Sequence, residues 1–216
     1  MMHAPLSHDM MAPALAGSLA LFMFASSITP GPNNVMLAAS GLNFGFRRSV
    51  PHMLGISLGM MSMLVLVGAG MGSLFLNVPW IYEVLRYVGA AYLLYLAWRI
   101  ATAGGMDDAN QRGRPMTLME ALLFQWVNPK AWIMVVGAIA TYVPQQNFFI
   151  NLVLATLLSG LINLPCISVW ALCGTALQRV LTAPLAIRCF NIGMALLLVL
   201  SLYPILATLV ASSPAR

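Results

Sequence analysis

The sequence predicts an all-α integral membrane protein: six transmembrane helices arranged as two inverted three-helix repeats, with helices one and four broken. Three observations carry this reading. Of the 216 residues, 61% are hydrophobic and 7% charged, which excludes a soluble domain and a disordered chain alike. The uncharged runs between charged segments are long enough to cross a bilayer. Two of those runs carry Pro and Asn near their middle, at corresponding places in the two halves, the sequence sign of a binding site between repeats.

Span one covers about 11–44. Residues 10–46 contain no Asp, Glu, Lys or Arg, and at helical rise such a run would extend roughly 55 Å against a hydrocarbon core of roughly 30 Å. One straight helix does not fit. Within it, Thr29-Pro30-Gly31-Pro32-Asn33-Asn34 removes two backbone donors, and the proline rings would press on the carbonyls of Ser26 and Ile28. Freed backbone groups at membrane depth are tolerated only against protein or a wet cavity, so the break predicts a cavity. The residues before this span carry Asp9 and no Lys or Arg, and they read as leading into a retained span rather than as a cleaved leader.

The basic, Pro-containing stretch 45–52 reads as a loop, followed by span two, about 53–76. Gly55 and Gly59 stand at G-x-x-x-G spacing there, with Gly68, Gly70 and Gly72 beyond, and predict a close helix neighbour. Span three, about 80–100, has Trp80 and Trp98 roughly 27 Å apart along a helix, one aromatic anchor for each interface. Glu83 and Arg86 are spaced to pair on one helical face. Residues 101–117, with Asp107, Asp108, Arg112, Arg114 and Pro115, form the linker between repeat one (about 11–100) and repeat two (about 118–210) of a single transmembrane domain, 1–216.

Span four, about 118–142, opens with Glu120 in its first turn, where a carboxylate suits the helix dipole. It is interrupted at Gln125-Trp126-Val127-Asn128-Pro129-Lys130. Span five, about 148–177, contains Ser159, Gly160, Asn163 and Pro165, and its length predicts strong tilt or a kink at Pro165. Span six covers about 189–210 and follows a basic loop.

Loop charges set the orientation. Arg47 and Arg48, then Arg99, Arg112 and Arg114, then Arg179 and Arg188 lie around the odd-numbered loops, and the even-numbered ones have none. The positive-inside bias puts the odd loops in the cytoplasm and both termini in the periplasm. Three spans per half then enter the membrane from opposite sides, the geometry of an inverted repeat. The net charge of +5 is thus topological, and nucleic acid is not an expected partner. Cys166, Cys173 and Cys189 form no C-x-x-C and have no His cluster nearby, so they read as packing residues with no metal and no cofactor.

A broken span turns a carbonyl end and an N–H end toward each other inside the membrane, and the two ends attract opposite charges. Asn33 and Asn34 open the second half-helix and offer N–H groups to a carboxylate, with one of them suited to cap it. The carbonyls of Ser26 to Thr29 face an ammonium group. The second break adds Asn128 and, near mid-span, Lys130; a charge so deep is a functional candidate by default. The candidate substrate-binding residues are Thr29, Pro30, Gly31, Pro32, Asn33, Asn34, Gln125, Asn128, Pro129 and Lys130.

These residues carry a resemblance. ITPGPNNVMLAASGLNFGFRRSVPHMLGI over 28–56 and FQWVNPKAW over 124–132 are similar to the lysine-exporter (LysE/RhtB) family of bacterial amino-acid efflux proteins. The resemblance implies a multi-pass protein of the bacterial inner membrane that exports amino acids or related zwitterionic metabolites, coupled to the proton gradient. It implies an amino-acid substrate, protons as candidate coupling ions and the lipid bilayer as partners, with homo-oligomerisation left open. It maps Pro30 to Asn34 onto the first family motif and Asn128, Pro129 and Lys130 onto the second. Two alternatives stand beside it: a membrane thiol-disulfide carrier of the CcdA kind, and a non-transporting assembly subunit. The first needs two exchangeable thiols at one site, yet Cys166 and Cys173 would lie about 10 Å apart along a helix. The second has no use for a buried lysine.

Overall fold

The computed structural model describes residues 11–71, 77–103, 114–181 and 183–203, and all regular structure among them is helical. Eight α-helices follow one another: α1 (Pro13–Ile28), α2 (Pro32–Phe44), α3 (Phe46–Leu66), α4 (Pro79–Ala101), α5 (Leu118–Gln125), α6 (Pro129–Tyr142), α7 (Phe148–Val180) and α8 (Pro184–Leu200). α3 and α7 are each long and apolar enough to cross a membrane, and α1 with α2 and α5 with α6 qualify as bent pairs, so two to four spans meet that test. The side chain of Arg86, residues 72–76 of span two, 104–113 of the linker and 204–210 of span six lie outside the described residues.

Both expected breaks are present. α1 and α2 meet at a bend of 55°, and α5 and α6 at 63°. Proline starts the second member of each pair: Pro32 opens α2 and Pro129 opens α6. At that position the missing N–H costs no helical hydrogen bond and the fixed φ already suits a helix.

One boundary differs from the sequence expectation. The stretch 45–52 is not a loop: Gly45, at φ 80°, turns the chain in one residue, its N–H bonding to the Gly41 carbonyl, and α3 begins at Phe46. A side chain would strain this left-handed conformation, so glycine lets two helices abut without a connecting loop. His52 consequently sits on a helix and is 1% exposed. α7 runs unbroken from Phe148 to Val180 with Pro165 inside it. α5 starts where expected, with a capping box: the Glu120 N–H donates to Thr117 Oγ1 at 3.2 Å and the Thr117 N–H to Glu120 Oε2 at 2.8 Å.

Packing depends on small residues. Side chains such as Leu21, Ile133, Leu161 and Leu196 point outward, so apolar burial alone does not hold the helices together in lipid, and close backbone approach matters more. Gly55 and Gly59 of α3 meet α5 directly: a Cβ on Gly55 would stand 2.3 Å from the Leu118 carbonyl oxygen, and one on Gly59 2.7 Å from that of Leu122. α2 lies along α7, its most extensive neighbour. Two apolar clusters result, one around Leu37, Ile56, Phe124, Ile167 and Leu198, the other around Leu19, Met23, Met63, Met134 and Leu152. Between them lies a polar layer at the breaks.

Candidate functional site

At the first break the α1 carbonyls lose their helical partners, and each finds another. Thr29 Oγ1 donates to the Ser26 carbonyl at 3.0 Å, and Asn34 Nδ2 to those of Ser27 (2.8 Å) and Thr29 (2.7 Å). Trp170 Nε1, from α7, donates to the Ile28 carbonyl at 3.1 Å. Neither Asn33 nor Asn34 caps α2: the cap position belongs to Gly31, without a side-chain bond, and Asn34 instead ties α2 back to α1. At the second break the cap is Asn128, whose side chain accepts from the Lys130 N–H at 3.1 Å. Trp132 Nε1 donates to the freed Trp126 carbonyl at 2.8 Å. Such substitutes satisfy backbone groups that would otherwise be costly to bury.

Lys130 joins the breaks. Its Nζ donates to the Thr29 carbonyl at 2.8 Å, Thr29 Oγ1 at 2.9 Å and the Pro30 carbonyl at 3.2 Å. The ammonium thus occupies the negative end of α1, where a macrodipole favours a cation, and those carbonyls are not free for a substrate ammonium in this conformation. Gly31 makes room: a Cβ there would stand 2.8 Å from Lys130 Cδ. A second link is reciprocal, Asn33 Nδ2 donating to Gln125 Oε1 at 2.8 Å and Gln125 Nε2 to Asn33 Oδ1 at 3.2 Å.

Gly31, Asn33, Asn34, Gln125, Asn128 and Lys130 line one small cavity with Ser26, Ser27, Asn163, Ile56, Met60 and Met134. Thr29, Pro30, Pro32 and Pro129 shape the turns but do not line it. Its volume of about 20 Å³ suits a water molecule, not an amino acid, so this conformation is closed at the breaks. Asn163 was not among the sequence candidates. It is 3% exposed, its Nδ2 donates to Ser27 Oγ at 3.0 Å, and its Oδ1 has no partner among the described residues. An amide at mid-span two residues before Pro165 was the available signal. No group of His, Cys, Asp and Glu able to hold a metal occurs among the described residues. Cys166 is buried and Cys173 exposed on the same unbroken helix, a placement that does not bring the two thiols to one site.

The sequence model of the LysE type translocator family matches residues 24–202. A cysteine/O-acetylserine efflux protein of Salmonella choleraesuis (strain SC-B67) is 35% identical over 170 residues, 78% of this chain and 87% of that protein. One of the same name from Escherichia coli O9:H4 (strain HS) is 33% identical over 190 residues, 88% of this chain and 96% of the relative. No solved structure matches. The family match runs from the last turn of α1 through α8, and the relatives share a third of their residues over most of the chain, so the chain belongs to the LysE type translocator family.

Proposed function

We propose that the chain is a secondary transporter of the bacterial inner membrane that exports a small zwitterionic amino acid through a site between its two breaks. Family membership supports a transporter over a thiol carrier or an assembly subunit. The observation that carries the site is Lys130 held across both breaks in one cavity with Asn163, whose Oδ1 has no partner among the described residues. In an opened conformation Lys130 leaves the Thr29 and Pro30 carbonyls and meets the substrate carboxylate, and Asn163 Oδ1 and the released carbonyls accept the substrate ammonium. One substrate would thereby replace an internal ion–dipole contact with two polar contacts of its own. The names of the relatives direct the substrate class toward O-acetylserine and cysteine.

The matched bends, 55° and 63°, support the inverted repeat, with α1–α2, α3 and α4 facing α5–α6, α7 and α8 as six spans of one domain. The ends bearing Arg47, Arg48, Arg99, Arg114 and Arg179 belong to α3, α4, the approach to α5 and α7. Contacts such as Asn43–Asn191 and Arg99–Arg114 join that same end, and by the positive-inside bias it faces the cytoplasm, with both termini periplasmic.

Proteoliposomes loaded with labelled O-acetyl-L-serine or L-cysteine test the reading. Counterflow that responds to an imposed pH gradient, and that is lost in Lys130→Gln and Asn163→Leu, is the expected result. Failure of every amino acid tried to exchange overturns it.

A further inference from the structure

A cavity larger than the one at the breaks lies elsewhere in the fold. It measures about 250 Å³ and opens at the arginine-bearing end, just below the size range of pockets that enclose drug-sized ligands. Met36, Ala39, Ser40 and Asn43, spaced to share one face of α2, line one side, and Leu96, Ile100 and Met116 give it an apolar body. Its charged groups are Arg99 and Arg114. Arg114 is committed to Glu120 through two hydrogen bonds, one of 2.8 Å. Arg99 donates Nη2 to the Arg114 carbonyl at 2.9 Å and lies over the Tyr95 ring at 5.9 Å, with no carboxylate partner among the described residues. His52 also lines the cavity, 1% exposed, with neither ring nitrogen hydrogen-bonded among the described residues.

A buried imidazole with no partner among the described residues is rare and costly. A guanidinium with no carboxylate partner among the described residues and that imidazole line one chamber with the polar side chains of Ser40, Asn43 and Thr102 and an apolar body, which suits a planar carboxylate with a small body behind it. We propose that this cavity is a second binding site for a small free carboxylate, in which Arg99 pairs with the carboxylate and His52 hydrogen-bonds to the ligand. α2 carries both sites: Asn33 at its head faces the breaks and Asn43 near its foot lines the cavity, roughly 15 Å apart along the axis. The same amino acid then occupies two stations along one helix.

The full-length chain in detergent, labelled with ¹⁵N-histidine, tests this, since only His3, His8 and His52 report. O-acetyl-L-serine is expected to shift the His52 ring resonances saturably, both in the natural chain and in Lys130→Gln, which removes the central site. Arg99→Gln is expected to weaken that response about tenfold, as loss of a charge-assisted bond does, while Lys130-dependent binding persists. A His52 shift that disappears in Lys130→Gln, that survives unchanged in Arg99→Gln, or that phosphatidylglycerol produces and O-acetyl-L-serine does not, overturns the proposal. Because Lys130→Gln isolates the cavity, failure of the central site and failure of this one give different results.

Discussion

Asn33 and Gln125 exchange two hydrogen bonds, at 2.8 and 3.2 Å, across 92 residues of sequence. The pair ties the head of one half-helix to the foot of another, and Gln125, 1% exposed, spends a further N–H on the Ala121 carbonyl at 3.0 Å. Replacing Asn33 leaves the buried Gln125 under-bonded, a cost of about 1–3 kcal/mol, and replacing Gln125 does the same to the half-buried Asn33 at lower cost. Asn33→Leu and Gln125→Leu should each lower the melting midpoint of the purified protein. The double variant should lose less than the sum of the two, with a coupling of about 0.5–3 kcal/mol in a double-mutant cycle. Strict additivity would show that the two amides do not act as a unit.

Gly31 separates the position of the Lys130 charge from its presence. Its backbone is extended, at φ −179°, so alanine meets no torsional obstacle, but the added methyl would stand 2.8 Å from Lys130 Cδ and 3.1 Å from Nζ. The flexible lysine must give way. Gly31→Ala should therefore keep the fold and the charge yet reduce exchange in proteoliposomes by about tenfold, the scale of losing one charge-assisted hydrogen bond. Unaltered exchange would mean that the Lys130 contacts to Thr29 and Pro30 do not matter for transport.

Much of this was legible in the sequence because the signals were local. Paired prolines in an uncharged run announce a break by removing donors, and a lone lysine in such a run announces itself by its desolvation cost. Gly55 and Gly59 announced a close neighbour by spacing, though not that the neighbour is α5. What escaped depended on distant chain. Asn163 joins the cavity only because α7 lies against α2 and α1, and no local pattern encodes that. His52 was misplaced into a loop because Arg-Arg and Pro51 resemble breakers, while Gly45 alone makes the turn. The occupation of the Thr29 carbonyl by Lys130 and Asn34 was equally out of reach.

Cysteine chemistry gives a discriminating experiment. Cys166 is 5% exposed and packs in the interior, whereas Cys173 and Cys189 are exposed. Replacing all three by alanine should preserve exchange in proteoliposomes, with stability reduced mainly through Cys166, by about 1 kcal/mol for one lost buried group. Loss of exchange in a folded triple variant, restored by thiols at two positions together, would favour thiol-disulfide transfer instead.

The α2–α7 seam makes the last prediction. Gly41 and Gly174 approach each other's helices reciprocally: a Cβ on Gly41 would stand 2.1 Å from the Ala171 carbonyl oxygen, and one on Gly174 2.0 Å from that of Ala38. Thr175 Oγ1 fastens the seam to the Gly41 carbonyl at 3.3 Å. The obstructing atoms are backbone on both sides, so neither rotamer change nor side-chain bending relieves the clash, and the helices must separate along their length. Overpacking of this kind costs about 1–3 kcal/mol or more. Gly41→Ala and Gly174→Ala should each lower the melting midpoint, and Gly41→Leu should abolish folded protein in the membrane fraction. Serine at Gly193, where a Cβ meets nothing within 4 Å, should leave the midpoint nearly unchanged. Equal tolerance at all three positions would show that α2 and α7 do not hold this close approach, and with it would go the placement of Asn163 beside the breaks.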